Sequence, residues 1–359
     1  MIDLTQLLHE MLHKRASDLH LSTGIPPRMR VDGKIISSSY PPLAKEDIKD
    51  MVFKILNEDQ REKLESELEL DISFGINELS RFRANIFFQR GALSMAIRSI
   101  PFYIPSFEEL GLPSIITALC EKPRGLILVT GPTGSGKSTT LAAMIDWINN
   151  HQHKHIITIE DPIEYIHNHK KSIVNQRELH ADTYSFKKAL RSALREDPDV
   201  VLIGEMRDIE TIEAALTISE TGHLTLATLH TNSCIQSINR IIDVFPPHQQ
   251  NQIRLQLSFV LEGILAQQLI PKQLEDGRTL ALEILIPNPA VRNQIRDNQI
   301  HQIYSIMQAG QAKHGMQTMN QSLFNLYSKR VISKENAISR STDTEELANM
   351  IQNNQVRII

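Results

Sequence analysis

The sequence predicts an α/β protein in three parts: an α+β domain over residues 1–100, a linker over 101–113, and a phosphate-loop domain with a parallel sheet over 114–359. Three observations carry this reading. From residue 124 onward, short continuous apolar runs alternate with amphipathic helical stretches, the pattern of a parallel sheet covered on both faces. One of those runs leads into G-x-x-x-x-G-K-[ST] and then a helix, which is the setting that motif requires. Before residue 100, apolar and polar residues alternate within short runs bounded by turn residues, as in an antiparallel sheet with one wet face.

At the N-terminus, MIDLTQLLHEMLHKR places Leu4, Leu7, Leu8, Met11 and Leu12 on one helical stripe. Asp3 and Glu10 stand where a signal peptide would be basic and then apolar. DLHLS and PRMRVDGKII read as strands, the second broken at the Asp32-Gly33 turn pair, and residues 44–68 read as helix. LDISFGI, SRFRANIFFQR and ALSMAIRSI follow as an antiparallel meander. There Phe82, Ala84, Ile86 and Phe88 are expected in the core. Arg81 and Arg83 point the other way, and Arg98 joins them from the next strand. That face is either solvated or an anion site offered to something outside the domain. The three prolines of SIPFYIPSFEELGLPS mark the linker.

In the second domain GLILVT, HIITIE, VVLIG and HLTLATL are expected strands. Helices are expected from Lys137, over about 185–196 and over about 208–220. Beyond residue 245 the chain reads as mostly helical, with one strand pair near 279–286. Lys187, Arg191 and Arg195 share one helix face, a solvated stripe or a subunit contact. HQHKH at 151–155 alternates its histidines just before a strand and lacks the acids that orient metal-binding histidines, so it reads as the solvent-facing start of that strand.

Composition narrows the function. With 359 residues and 41% hydrophobic content, the chain has room for two packed cores. A net charge of −4 and a single Trp argue against a nucleic-acid partner. No apolar run approaches the roughly 20 residues needed to span a bilayer, so the expected location is the cytoplasm. Cys120 and Cys234 are isolated and read as buried thiols.

The chemistry concentrates in GPTGSGKST, from Gly131, Pro132, Thr133, Gly134, Ser135 and Gly136 to Lys137, Ser138 and Thr139. Its glycines let backbone N–H groups curl around phosphate oxygens, and the helix N-terminus adds a favourable dipole. Lys137 is expected to reach the β- and γ-phosphates of ATP, and the Ser138 hydroxyl to ligate Mg²⁺. Hydrolysis also needs acids and a phosphate sensor. TIEDPIEY supplies Glu160 and Glu164, and VVLIGEMRD supplies Glu205 one place beyond the position where an aspartate usually ends such a strand. The expected reason for Gly204 is a close approach of backbone to nucleotide. His223 and His230 bracket one strand, about 23 Å apart if it is extended. His230 therefore reads as the sensor at the carboxyl end, and His223 as either a second site residue or a capping histidine.

Together GPTGSGKST, TIEDPIEY, ALREDPDVVLIGEMRDIET and TGHLTLATLHT resemble the Walker A, Asp, Walker B and His boxes of the secretion ATPases. These motors drive type II secretion and type IV pili, and the likeness is strongest to the pilus retraction branch. The resemblance implies a PAS-like N-terminal domain, a RecA-like C-terminal domain and a homohexamer. It places ATP between the two domains, with Arg81, Arg83 and Arg98 helping to close the site. It casts Glu205, Glu160, Glu164, His230 and His223 in catalytic roles, with Glu205 and Ser138 toward Mg²⁺. The implied partners are a PilC-like inner-membrane platform protein at the pilus base and a PilU-like paralogue, with peripheral attachment to that membrane. Alternatives are an accessory retraction ATPase, or a type II secretion or pilus assembly ATPase. Retraction motors carry A-I-R-N-L, and here Ala290, Val291, Arg292, Asn293 and Gln294 stand in its place.

Overall fold

The computed structural model describes residues 3–356 except 15, 32, 77–78, 101–102 and 275–276. Asp32 of the expected turn and Pro101 and Phe102 of the expected linker thus lie outside the described residues. The chain divides into two compact units, Met1–Tyr103 with Glu164–Ile166, and Ile104–Ile163 with His167–Ile359.

The first unit is a six-stranded sheet with three helices. Helix α1 (Leu4–His13) precedes β1 (Asp18–Leu21), β2 (Arg28–Val31) and β3 (Lys34–Ser37). Helices α2 (Lys45–Ile55) and α3 (Glu58–Glu67) lead to β4 (Glu69–Ile76), β5 (Ser80–Gln89) and β6 (Ala92–Ile100). The strands lie in the order β3-β2-β1-β6-β5-β4 and every pair is antiparallel. The helix expected over 44–68 is split, because Asn57 caps a second helix by accepting from the Gln60 N–H. Leu7, Leu8, Met11, Phe82, Ala84 and Ile86 are buried together. Phe88 corrects its expectation. It is exposed, because it lies beside the Arg90-Gly91 turn, where both residues take positive φ and the hairpin ends.

The second unit opens with α4 (Phe107–Leu110) and α5 (Ile115–Cys120). Then come β7 (Gly125–Thr130), α6 (Lys137–His151), β8 (His155–Glu160), β9 (Ile173–Glu178), α7 (Phe186–Ala193), β10 (Val200–Ile203), α8 (Ile209–Glu220), β11 (Leu224–Leu229) and α9 (Cys234–Asp243). The rest comprises α10 (Pro247–Val260), β12 (Leu261–Pro271), β13 (Arg278–Leu285), α11 (Pro289–Arg296), α12 (Ile303–Ala309), α13 (Gln311–His314), α14 (Met319–Ser328), α15 (Lys334–Arg340) and α16 (Thr344–Val356).

Its seven strands run β13-β12-β7-β11-β10-β8-β9, all parallel except β13 on its edge. Alternate residues of the central strands feed opposite cores. Leu126, Leu128, Ile157, Ile159, Val201 and Ile203 pack with residues of α7 to α12. Ile127, Val129, Ile156, Val200 and Leu202 pack with residues of α5 and α6. Continuous apolar strands thus have the physical cause expected of them, a helix layer on each face.

Two strands depart from the sequence reading. β9 was not expected at all, and β12 occupies a region read as mostly helical. LEGILAQQLIP contains good helix formers, and its pairing with β7 on one side and β13 on the other overrides that local preference. Both cysteines are buried and free, as the sequence suggested. Within HQHKH, His151 ends α6 and stacks on Trp147, while His155 opens β8 and bonds Asn175 and the Asp197 carbonyl. Lys187 pairs with Glu210, and Arg195 lies beyond the end of α7.

Candidate functional site

The carboxyl ends of β7, β8, β10 and β11 form one edge of the parallel sheet, where ligand groups of open α/β folds gather. At β7 the chain passes from buried Thr130 into the loop 131–136. Gly131, Gly134 and Gly136 all have positive φ there, so the loop needs its glycines. Pro132, Thr133 and Gly134 are exposed, while Ser135 and Lys137 are buried. The Lys137 ammonium donates to the carbonyls of Gly131 (2.9 Å) and Pro132 (3.2 Å), which holds it over the loop. Ser138 and Thr139 are half-buried in the first turn of α6. A cavity of about 330 Å³ opens beside the loop, lined by Leu110, Ser135, Thr139, Gln267, Leu269 and Leu280 among others.

β11 pairs with β7 in a register that sets Leu229 beside Thr130, so His230 follows immediately at the loop's edge. Its Nε2 lies 3.4 Å from Glu205 Oε1, and the Arg207 guanidinium donates to Glu205 Oε2 at 2.8 Å. Burial alone would raise the Glu205 carboxyl. The Arg207 hydrogen bond, with the positive charges of His230, Arg207 and Lys137, outweighs it and holds the group below the usual range for glutamate. Glu205 is thus kept as an anion near Arg207 and Lys137. Asp208 closes this short loop by accepting from the Thr211 N–H and capping α8.

Gly204 has a reason within the protein itself. A Cβ there would lie 3.2 Å from the Glu160 Cα and from the Ile159 carbonyl. The close approach is therefore between the ends of β10 and β8, and its product is two acidic strand ends drawn side by side. Glu160 Oε1 accepts from Thr158 Oγ1 (2.6 Å) and Gln176 Nε2 (3.2 Å), and Glu178 pairs in register beside it on β9.

His223 is not brought to this edge. Glu164 is exposed and lies in the 164–166 segment that groups with residues 1–103. His223 precedes β11 at the opposite edge, where its neighbour Leu224 is level with Gly125 at the start of β7, and it bonds Thr221 and the Ile218 carbonyl. Within one chain it reads as the capping histidine of the two alternatives.

In the first unit, Arg83 and Arg98 sit directly opposite each other on β5 and β6. Like charges in that position repel, and each arginine has an acid of its own. Arg98 donates to Asp18 from Nε and Nη2, both at 2.8 Å, and Arg83 Nη2 lies 3.9 Å from Asp71. Arg81 is level with Ile100 on the same strand pair. In the 290–294 motif, Val291 is buried in the core. Arg292 spans the end of α10, donating to the Ser258 and Phe259 carbonyls and to Glu262. Ala290, Asn293 and Gln294 complete the same helix, α11.

Residues the sequence reading missed include Arg207, Thr158, Gln176 and Gln267. Thr158 and Gln267 left a faint signal, as polar residues inside apolar strands. For Arg207 and Gln176 a single sequence carries none.

A family described as "Type II/IV secretion system protein" matches residues 1–358. The chain is 49% identical to "Type IV pilus retractation ATPase PilT" of Pseudomonas aeruginosa, over 94% of the chain and 97% of that protein. It is 40% identical to "Type IV pilus ATPase PilU" of the same organism, over 98% of the chain and 92% of that protein. Among solved structures it is similar to the crystal structure of the pilus retraction motor PilT with bound ADP. There the TM-score is 0.92 at 52% identity, covering 97% of this chain and 100% of the other.

Proposed function

The chain belongs to the Type II/IV secretion system protein family, and from that premise we propose that it is the ATPase motor of type IV pilus retraction. The observation that carries this is the meeting of Lys137, Glu205 and His230 at one strand edge beside the phosphate loop, together with end-to-end likeness to a retraction ATPase. Deleting the gene in its host is expected to leave surface pili in place and abolish twitching, with recovery on complementation. Unaltered twitching and pilus-specific phage sensitivity would instead favour the accessory reading, which the 40% identity to PilU keeps as the second choice.

On this reading ATP lays its phosphates along 131–139 and its nucleoside toward the cavity beside Leu269 and Leu280. Lys137 neutralises the β- and γ-phosphates. Glu205 orients the attacking water and takes its proton, and His230 meets the γ-phosphate. Glu160, held by Thr158 and Gln176, supplies the second carboxylate. Mg²⁺ fits this donor set: Ser138 offers a half-buried hydroxyl and Glu205 a carboxylate kept ionised. Among the described residues no cluster of three or more side chains forms a closed metal cage. Mg²⁺ in such sites leans on one or two protein oxygens, with phosphates and water completing its shell. When bound, it would supply charge neutralisation to the phosphates.

The motor works as a homohexamer in this proposal. Each turnover moves the first unit of one subunit against the second unit of its neighbour, and a PilC-like platform protein at the inner membrane receives the stroke. The protein is held at that membrane peripherally; among the described residues no helix is long and apolar enough to cross one. The hinge of this motion is proposed within 101–113, where Phe107 and Leu112 are buried in the core of the second unit.

Arg81, Arg83 and Arg98 are proposed to close the nucleotide site, and the structure separates two of them by their partners. Arg83→Ala is expected to lower steady-state ATPase by about tenfold or more, as loss of a phosphate-facing arginine does, with little change in thermal midpoint. Arg98→Ala leaves the buried Asp18 with Arg30 as its remaining guanidinium partner. It is expected to lower the thermal midpoint more than Arg83→Ala does. Equal ATPase in wild type and Arg83→Ala would remove Arg83 from the site.

A further inference from the structure

We propose that Gln267, on β12, is a positioning residue that sets the phosphate loop in its binding shape. β12 pairs with β7 through Ala266 and Thr130, and then runs on as far as Pro271 while β7 ends. Its next residues therefore flank the loop. The Gln267 backbone packs so tightly there that a Cβ on Gly131 would lie 2.4 Å from the Gln267 carbonyl.

The side chain then acts on one peptide unit. Gln267 Nε2 donates to the Ser135 carbonyl at 2.8 Å, and Gln267 is 1% exposed. A trans peptide is planar, with its C=O and N–H pointing in opposite directions. Tethering the Ser135 carbonyl to β12 therefore turns the Gly136 N–H away from β12, toward the inside of the loop. Gly136, at φ +88°, is the residue most free to let that peptide rotate. If it rotated, a carbonyl would face the phosphate in place of a donor. A Cβ on Gly136 would come 3.3 Å from Gln267 Nε2, so the glycine also makes room for the tether.

Among the described residues the same amide's Oε1 is buried without a hydrogen-bond partner. A buried amide with an unmet acceptor is unfavourable for stability and offsets part of what the tether contributes. An apolar side chain of similar shape removes that unmet acceptor and leaves the Ser135 carbonyl unpaired in its place, so the net change in stability is small. What glutamine adds is the donor, and the donor serves the loop.

This inference rests on the reading of the loop as a nucleotide site, and the test keeps the two apart. ADP binding to the full-length protein is measured by calorimetry and ATPase by steady-state kinetics, for wild type, Gln267→Met and Gln267→His. Wild type failing to bind ADP would overturn the nucleotide reading itself. With wild type binding, Gln267→Met is expected to stay folded with a small shift of its thermal midpoint, to bind ADP about tenfold more weakly and to raise KM while kcat changes little. Gln267→His, whose ring N–H can donate, is expected to recover ADP affinity to within about threefold of wild type. A folded Gln267→Met with wild-type ADP affinity would overturn the proposal, as would equal losses in the Met and His variants. Should Gln267→Met not fold, the His variant decides: affinity near wild type supports the tether, and a loss of about tenfold overturns it.

Discussion

A Glu205→Gln variant is expected to lose about 100-fold or more in steady-state kcat for ATP, the range in which a positioned general base works, while still binding ADP. The substitution preserves shape and removes the charge. In the protein that charge is maintained against burial by the Arg207 hydrogen bond and the charges around it, so glutamine loses the ionised proton acceptor. Glu160→Gln is expected to fall less, by about tenfold, because its Oε1 is already engaged by Thr158 and Gln176 and the amide can keep part of that network. Assays of both variants under identical conditions separate the roles. Near-normal turnover in Glu205→Gln with a large loss in Glu160→Gln would exchange them, and near-normal turnover in both would remove the assignment.

Lys137→Ala is expected to weaken ATP binding by about 100-fold and to leave no measurable turnover, the scale of losing a charged phosphate contact in a sheltered site. Two effects combine. The ammonium disappears from its place over the loop, and the Gly131 and Pro132 carbonyls lose the donor they share. The second effect is local, so the thermal midpoint without nucleotide should move little, whereas the rise normally produced by ADP should vanish. Fluorescence-monitored melting with and without ADP reads both quantities at once. A Lys137→Ala protein that ADP stabilises as well as it does wild type would show that the loop holds nucleotide by its backbone alone.

The legible part of the site shares one property: it is encoded within short windows. Gly131 to Thr139 form a contiguous motif whose geometry follows from its own glycines and the helix behind it. Glu205 stands at the end of a strand readable from VVLI, and His230 at the end of one readable from LTLATL. Where the reading was less complete, the missing information lay in another window. β12 looked helical because Leu, Ala and Gln favour a helix until β7 and β13 present two ladders to pair with. Gly204 was read from the nucleotide alone, whereas its close approach to Glu160 and Ile159 at the end of β8 lies in another window. Glu164, four residues from Glu160, groups with the other unit, a consequence of chain path that spacing does not reveal.

By itself, the sequence determined the two-part organisation, the doubly covered sheet, the phosphate loop and the acids and histidine that end the neighbouring strands. Periodicity and glycine placement are local constraints, and local constraints survive in one dimension. Tertiary structure alone decided which of those groups meet. It brought His230 to the carboxylate that Arg207 already holds from two residues away, left His223 at the opposite edge, drew the ends of β8 and β10 together at Gly204, and ran β12 past β7 so that Gln267 reaches the Ser135 carbonyl. Apart from the local Arg207 contact, each of these depends on strand order and register between segments distant along the chain. A single hydrogen bond at 2.8 Å is specified there by the packing of the whole sheet rather than by any neighbour along the chain.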